Sequence, residues 1–219
     1  MKRTQKLSWL VTFVFFFGSS TQIFSQTLKD FFSSSETPTV YLGIDFTKAR
    51  LINSPSANPM DIKNRIYRSI NDVVVNEPKK FDFIGAFHKT GVSSDLTAVH
   101  ANNEKVNAEE IVSSKSEDFN RLKESDITSI AKGLSINGKK GIGILFVFEA
   151  MKNVEKSDDY ASVWTVLVDL QTKKVLLTER FVVKAKGFGF RNVWASAIKA
   201  ILDEIEKNKY KEWKEKSGS

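Results

Sequence analysis

Hydrophobic and polar positions alternate with two different periods along the first part of the chain. The run "TVYLGIDFT" (residues 39–47) is rich in β-branched and aromatic residues and predicts a buried strand. Asn58 followed by Pro59 predicts a helix start, because the missing N–H of proline costs nothing at the first helical position. Apolar residues then recur at helical spacing up to Pro78, and they are Ile62, Ile66, Ile70 and Val73.

The middle of the chain predicts a strand, a long polar connection and a helix. The run "KFDFIGAFH" (residues 80–88) predicts a second strand. Residues 89–124 are polar and irregular, and we expect a strand near Ala98 and a short helix near Asp118 within them. A connection of this length is usually functional or mobile. Ser125 is predicted to cap a helix with one apolar face, formed by Ile127, Ile130, Ala131 and Leu134.

The second half carries the most regular pattern. The run "GIGILFVFEA" (residues 141–150) is apolar at both alternating sets of positions, which is typical of a central strand covered on both faces. Residues 161–170 and 174–184 predict two further strands, and the short turn between them predicts an antiparallel hairpin. A last helix has one apolar face, formed by Trp194, Ile198, Ile201, Leu202 and Ile205.

The predicted element order is β-α-β-α-β-β-β-α. This order predicts an α/β (α+β) fold with a mixed sheet of about five strands and three main helices. We expect one domain at residues 39–207, an exposed lead-in segment at 26–38 and a frayed tail at 208–219.

The first residues predict export of the protein. Residues 1–25 begin with Lys2, Arg3 and Lys6 and continue with the apolar run "LSWLVTFVFFFG" and small polar residues. This pattern is typical of a secretory signal peptide. The apolar run is shorter than the roughly 20 residues that a permanent membrane helix needs. We therefore predict cleavage after Ser25, no membrane span in the mature chain, and a periplasmic or secreted protein.

Composition narrows the classes of function. Removing the signal peptide leaves 194 of 219 residues and lowers the formal net charge from +7 by three, to +4. Acidic and basic residues are interspersed, so nucleic acid is not a predicted partner. The absence of cysteine excludes disulfides, thiolate catalysis and a lipid anchor on cysteine. His88 and His100 lie in no metal-binding motif, so we predict no metal, no cofactor and no catalytic residue.

The stretch "KAKGFGFRNVW" joins the last strand to the last helix. A dinucleotide-binding fingerprint would have glycine where Asn192 stands and a strand after the helix, so a nucleotide site is not predicted. In one interpretation the two glycines allow a sharp turn, and the neighbouring aromatic residues, with Trp194, wedge the helix against the sheet. In the other, the loop binds a partner or an anion at the helix N-terminus. The candidate binding residues are Lys186, Gly187, Phe188, Gly189, Phe190 and Arg191.

The second half resembles the strand-hairpin-helix core of the curli-secretion lipoprotein and of related bacterial envelope lipoproteins. Their hairpin pattern is matched by Val166-Leu-Val-Asp169, Thr172 and Val175-Leu176, whereas its glycine is replaced by Lys173. The whole chain is also similar to short, uncharacterised exported proteins of Gram-negative bacteria that share "G-F-G-F-R-N-x-W". These resemblances imply a fold and an envelope address but no activity.

Three functions follow as hypotheses. The first is an exported, non-catalytic envelope protein that acts as a binding or assembly module for another envelope protein, and the sequence is compatible with a homo-oligomer. The second is a small-ligand or anion-binding module that uses the loop around Gly187. The third is a hydrolase whose site is assembled from residues 89–124, which keeps catalysis an open question.

Overall fold

The computed structural model describes residues 27–54, 56–136, 138–153 and 159–219. The predicted signal peptide at 1–25 lies outside the described residues. In the described part of the chain seven strands form one mixed sheet. They are β1 (Thr39–Asp45), β2 (Arg50–Ile52), β3 (Ser93–Ser94), β4 (Val112–Ser113), β5 (Ile142–Lys152), β6 (Asp159–Asp169) and β7 (Val175–Ala185).

Strand β5 lies at the centre of this sheet. On one side β1 pairs in parallel with residues 142–147 of β5, and β2 pairs in parallel with residues 150–152. The short strands β3 and β4 pair with the outer edges of β1 and β2. On the other side β6 and β7 form the predicted antiparallel hairpin. The prediction of about five strands was too low, because β2, β3 and β4 were not predicted, whereas residues 80–88 do not form the strand that was expected there.

Six continuous helices surround the sheet in the described residues, and two of them carry two labels each because a π-helical turn divides them. Pro59–Asp61 (α2) continues through a π-helical turn, Ile62–Ile66, into Tyr67–Asn76 (α3), and Phe190–Glu204 (α7) continues through the π-helical turn Ile205–Lys209 into Tyr210–Lys216 (α8). The others are α1 (Leu28–Ser33), α4 (Phe83–Ala86), α5 (Thr97–Asn103) and α6 (Glu124–Gly133), with 3-10 turns at Ala108–Glu110 and Ser116–Asn120. The mixed α/β, single-domain class is therefore confirmed. No described helix is long and apolar enough to cross a membrane.

Hydrophobic cores lie on both faces of the sheet. On one face Phe146 and Phe148 of β5 pack in a core with Tyr67 and Trp194 of the long helices. On the other face Leu145 and Val147 pack with Ile127 and Ala131 of α6. Every residue from Ile142 to Met151 is buried, as expected for a strand with an apolar residue on each face.

The helix that begins at Asn58 shows how its apolar stripe is accommodated. Asn58 accepts a hydrogen bond from the Asp61 N–H at 3.1 Å, which confirms the predicted start. Ile62, Ile66 and Ile70 are buried as predicted, and the stripe continues at Val74, whereas the predicted Val73 is only partly buried. Their spacing of four residues is wider than the 3.6 residues of an α-helical turn, and the π-helical turn supplies the extra residue.

Three local predictions were wrong. Residues 80–88 contain the helix α4 and not a strand, because Asp82 accepts a hydrogen bond from Gly85 N–H at 2.8 Å and caps the turn. A short apolar run does not distinguish a buried strand from a buried helix by period alone. The strand expected near Ala98 is the helix α5. Helix α6 begins at Glu124, before Ser125, and the Asp126 carboxylate accepts the Lys123 N–H at 2.8 Å.

The predicted domain, residues 39–207, was also too short at both ends. The lead-in at 26–38 is not simply exposed, because it forms α1 and buries Phe31 and Phe32. The buried Lys89 ammonium donates to the Ser34 carbonyl at 2.8 Å and to the Phe31 carbonyl. The tail at 208–219 is helical to Lys216 and buries Trp213. Apolar burial therefore orders segments whose composition predicts disorder.

Candidate functional site

The 186–191 loop reverses the chain between the end of β7 and the start of α7. Gly187 has φ 145° and Gly189 has φ 77° with ψ 153°, both in the region that L side chains rarely adopt. A Cβ at Gly187 would also lie 3.3 Å from the Asn192 carbonyl carbon. The two glycines are therefore required by the backbone path of this turn.

The aromatic residues of the loop do not behave alike. Trp194 is buried, and its ring stacks on Phe148 with a centroid distance of 4.9 Å, so it wedges α7 against the sheet as expected. Phe188 is 94% exposed and Phe190 is 39% exposed. Phe188 therefore does not anchor the helix as expected, whereas Phe190, the first residue of α7, is partly exposed beside Trp194.

Hydrogen bonds hold the loop at its base. The Lys186 N–H donates to the Ser196 hydroxyl at 2.8 Å, and the Asn192 amide donates to the Phe188 carbonyl at 3.1 Å. Lys186 and Arg191 are exposed and form no salt bridge with another described residue. The loop thus presents an aromatic side chain and two cations on a braced turn.

A cavity of about 320 Å³ lies beside this loop. Its apolar walls include Leu51, Met151 and Trp194, and its polar walls include Ser54 and Asn153. The sequence brings these residues from β2, β5 and α7, so their proximity follows from the pairing of β2 with β5 and the packing of α7. The predicted loop residues that line it are Gly187, Gly189 and Phe190.

The 89–124 segment forms part of a separate cleft of about 660 Å³ at the carboxyl end of β1. Three cations line this cleft, and two of them are already engaged. Arg50 pairs with Glu110 at 2.5 Å, and Arg121 donates to the Lys48 carbonyl at 2.5 Å and lies 3.9 Å from Asp118. Burial, with the nearby Arg50 charge, lowers the pKa of Arg121. Two of the three cations that line the cleft are therefore already held by contacts within the protein.

Sequence reasoning missed a buried carboxylate in the central strand. Glu149 is fully buried and accepts hydrogen bonds from the Leu122 N–H at 2.5 Å and from the Trp164 indole at 3.0 Å. The Arg180 guanidinium lies 3.0 Å from it and 4.6 Å from the Trp164 ring centre. The sequence signal that could have revealed this carboxylate is an acidic residue within an otherwise apolar run. Its contacts tie the 3-10 turn before α6 to the sheet, which indicates a structural role.

The two histidines lie in different surroundings. His88 stacks on Tyr210 with ring centres 3.9 Å apart, whereas His100 lies on α5 with its Nε2 atom buried. Within the described ranges no group of three or more histidine, aspartate or glutamate side chains could hold a metal ion.

Comparisons with known proteins identify no family for this chain. No protein-family profile matches it, and no curated protein matches it, so no sequence match supports the resemblance to the curli-secretion lipoprotein. The chain is similar to a single-substitution variant of the PelC dodecamer from Paraburkholderia phytofirmans, with 10% identity over 84% of this chain and 95% of that one and a TM-score of 0.35. It is also similar to a homolog of the neuraminyllactose-binding hemagglutinin from Helicobacter pylori, with 13% identity over 82% and 91% of the two chains and a TM-score of 0.33. Likenesses this weak carry no argument about function.

Proposed function

We propose that this protein is an exported, non-catalytic binding module of the bacterial envelope, and that the 186–191 loop contacts another envelope protein. The observation that carries the proposal is Phe188, which is 94% exposed at the tip of a turn that two glycines shape and hydrogen bonds brace. The predicted signal peptide supports export.

The chemistry of the loop suits a protein contact. Large aromatic side chains are common among the residues that dominate binding energy at interfaces, because they bury much area with few rotatable bonds. When a partner covers an exposed phenylalanine ring, apolar surface is removed from water, which is favourable. Lys186 and Arg191 flank the ring and have no acidic partner among the described residues, so a partner with an acidic rim would complement them.

The test combines cross-linking in the envelope with thermal stability. We expect Phe188→Ala, Lys186→Gln and Arg191→Gln to lower the yield of one cross-linked partner at least about fivefold. Their melting temperatures should not change, because such exposed substitutions usually shift stability by less than about 0.5 kcal/mol. Ile84→Ala and Lys207→Gln are matched controls, since Ile84 is 48% exposed and Lys207 is exposed in the π-helical turn after α7, away from the loop.

Three outcomes would contradict the proposal. If the three variants keep the partner yield of the native chain, the loop is only a turn. If the cross-linked product contains two copies of this chain and no other protein, the surface serves a homo-oligomer. Loss of phosphate binding without loss of a protein partner would favour the anion-binding alternative at the start of α7.

A further inference from the structure

The two edges of the sheet differ in length. On one side the outer strands of the described chain are β3 and β4, with two residues each. On the other side the outer strand is β7, which has 11 residues and pairs with β6 alone among the described strands. No proline or glycine interrupts it. A long edge strand is a template for pairing with another chain, because its outward N–H and C=O groups lack a ladder partner.

The hairpin register decides which backbone groups of β7 point away from β6. The Asp169 N–H of β6 donates to the Lys174 carbonyl at 2.9 Å. Hydrogen-bonded positions alternate along an antiparallel pair, so the odd-numbered positions of β6 bond to odd-numbered positions of β7. The N–H and C=O groups of Thr178, Arg180 and Val182 therefore point outward, and no hydrogen bond to a described residue uses them.

The charged side chains in the middle of β7 are engaged on the faces of the sheet. Glu179 pairs with Lys209 at 2.5 Å, and Arg180 pairs with Glu149 at 3.0 Å. Charged side chains protect many edge strands from pairing, but here both are held by partners within the protein. Val182 is 51% exposed. A strand added at this edge would cover that apolar side chain while it completes the ladder.

Charge decides which kind of chain suits this edge. The only acid in residues 171–191, which include β7 and the turns at its ends, is Glu179. The basic residues of the same range are Lys173, Lys174, Arg180, Lys184, Lys186 and Arg191. In an antiparallel pair of two copies of β7, the Lys174 end of one strand would lie beside the Lys186 end of the other, so like charges would meet. An acidic segment would instead meet basic residues at both ends.

We propose that β7 binds an extended, acidic segment of another protein as an additional strand of the sheet. The outward backbone groups of Thr178, Arg180 and Val182 supply the hydrogen bonds, and pairing through the main chain gives such contacts their affinity. Lys174 and Lys186, both exposed, select a segment with acidic ends. The inference goes beyond the proposed function, because it does not depend on the contact of Phe188.

The probe is a synthetic peptide of about ten residues, which spans β7 at roughly 3.3 Å per residue. Its middle alternates valine and threonine, and both of its ends are acidic. Fluorescence anisotropy of the labelled peptide measures its affinity for the protein. We expect saturable binding. The same peptide with lysine at both ends should bind at least about tenfold more weakly, because its charges repel those at the ends of β7.

Amide hydrogen exchange, followed residue by residue with NMR, shows where the peptide binds. In the free protein the N–H groups of Thr178, Arg180 and Val182 should exchange faster than those of Phe181 and Val183, which face β6. Saturating acidic peptide should slow the three fast amides at least about tenfold and leave the other two unchanged.

Matched controls separate the contributions of charge and backbone. Lys174→Glu should weaken binding of the acidic peptide about threefold and strengthen binding of the lysine-ended one, because it reverses an exposed charge beside the edge. Lys79→Glu is its control, since Lys79 is exposed in the turn between α3 and α4, and it should change neither affinity. A peptide with proline at its central positions lacks the N–H donors and should not bind.

Three results would overturn the inference. The outward amides could already be protected in the free protein, which would mean that the edge is covered, by a second copy if protection rises with protein concentration. The acidic peptide could fail to bind, or could bind without slowing these amides. The lysine-ended or the proline peptide could bind as tightly as the acidic one, which would remove charge selection or strand addition. None of these results alters the cross-linking test of the 186–191 loop.

Discussion

Asp95 joins a loop at the edge of the sheet to two other parts of the chain. Its carboxylate accepts the Thr97 N–H at 2.9 Å at the start of α5, and it pairs with the Lys139 ammonium from the turn before β5. The hydrogen bond from Lys139, followed by those from Thr97, lowers the pKa of Asp95 from its usual value of 3.8 to about 2. The folded state therefore favours the ionised carboxylate.

This pKa predicts the acid stability of the protein. A carboxylate with a depressed folded pKa contributes stability above its unfolded pKa, and that stability is lost as the pH falls through about 4 to about 2. Asp95→Asn should therefore cost on the order of 1 kcal/mol at pH 7, after allowance for solvent screening, and almost nothing near pH 2. Urea melts at several pH values would measure this difference.

Asp203→Asn is the control, because Asp203 pairs with Lys199 on a surface where both side chains are 42% exposed. Its effect should be small at every pH. An Asp95→Asn variant whose loss of stability is the same at pH 7 and pH 2 would contradict the assignment.

At the scale of elements, amide side chains replace a neighbouring strand along part of β1. Past the register shift between Tyr41 and Gly43, the outer edge of β1 pairs with no strand of the described residues. The Asn71 amide of α3 accepts the Ile44 N–H at 2.7 Å and donates to the Ile44 carbonyl at 3.1 Å. Asn103 of α5 accepts the Phe46 N–H at 2.7 Å in the same way. Two helices are thereby fixed against one strand edge.

Asn71→Ala should destabilise the fold by about 1–3 kcal/mol, because it leaves buried backbone groups of Ile44 without a partner. Asn76→Ala, at the exposed end of the same helix, should change stability by less than about 0.5 kcal/mol. Chemical denaturation of both variants measures the contrast. Equal effects would mean that helix propensity, and not the strand edge, explains the loss.

At the scale of the whole molecule, the two ends of the described chain pack on each other. Phe32 of α1 contacts the Tyr210 ring with centroids 5.2 Å apart, and it also lies against Trp213 of α8. The Trp213 indole donates to Glu179 of β7 at 2.5 Å. The segments predicted to be a lead-in and a frayed tail are therefore one structural unit with the sheet.

Trp213→Ala should lower the free energy of unfolding by about 3–5 kcal/mol, because it removes a large buried ring and a hydrogen bond. Lys211→Ala, whose side chain is 84% exposed two residues earlier, should be nearly neutral. Denaturant melts that show a loss below about 1 kcal/mol for Trp213→Ala would restore the interpretation of a frayed tail.

Local pattern predicted some features of the candidate site and missed others. The turn at residues 186–191 was recognisable from its two glycines, since positive φ at a reversal is a property of the backbone. The exposure of Phe188 could not be predicted, because a phenylalanine near a buried tryptophan has the same local pattern whether it packs inward or projects outward. The partners of Glu149 were not predictable either, because Leu122 and Trp164 come from other parts of the chain and reach it only in the folded protein.

The sequence alone determined the central strand, the hairpin after it, the start of the helix at Asn58 and the helix that carries Trp194. Each of these depends on side-chain period or capping within a few residues, which the chain carries with it. Tertiary structure decided that residues 80–88 form a helical turn and that Phe31 and Trp213 are core residues. The reason is that burial depends on what another part of the chain supplies, and here Phe32 of α1 packs against Tyr210 and Trp213 from the other end of the described chain.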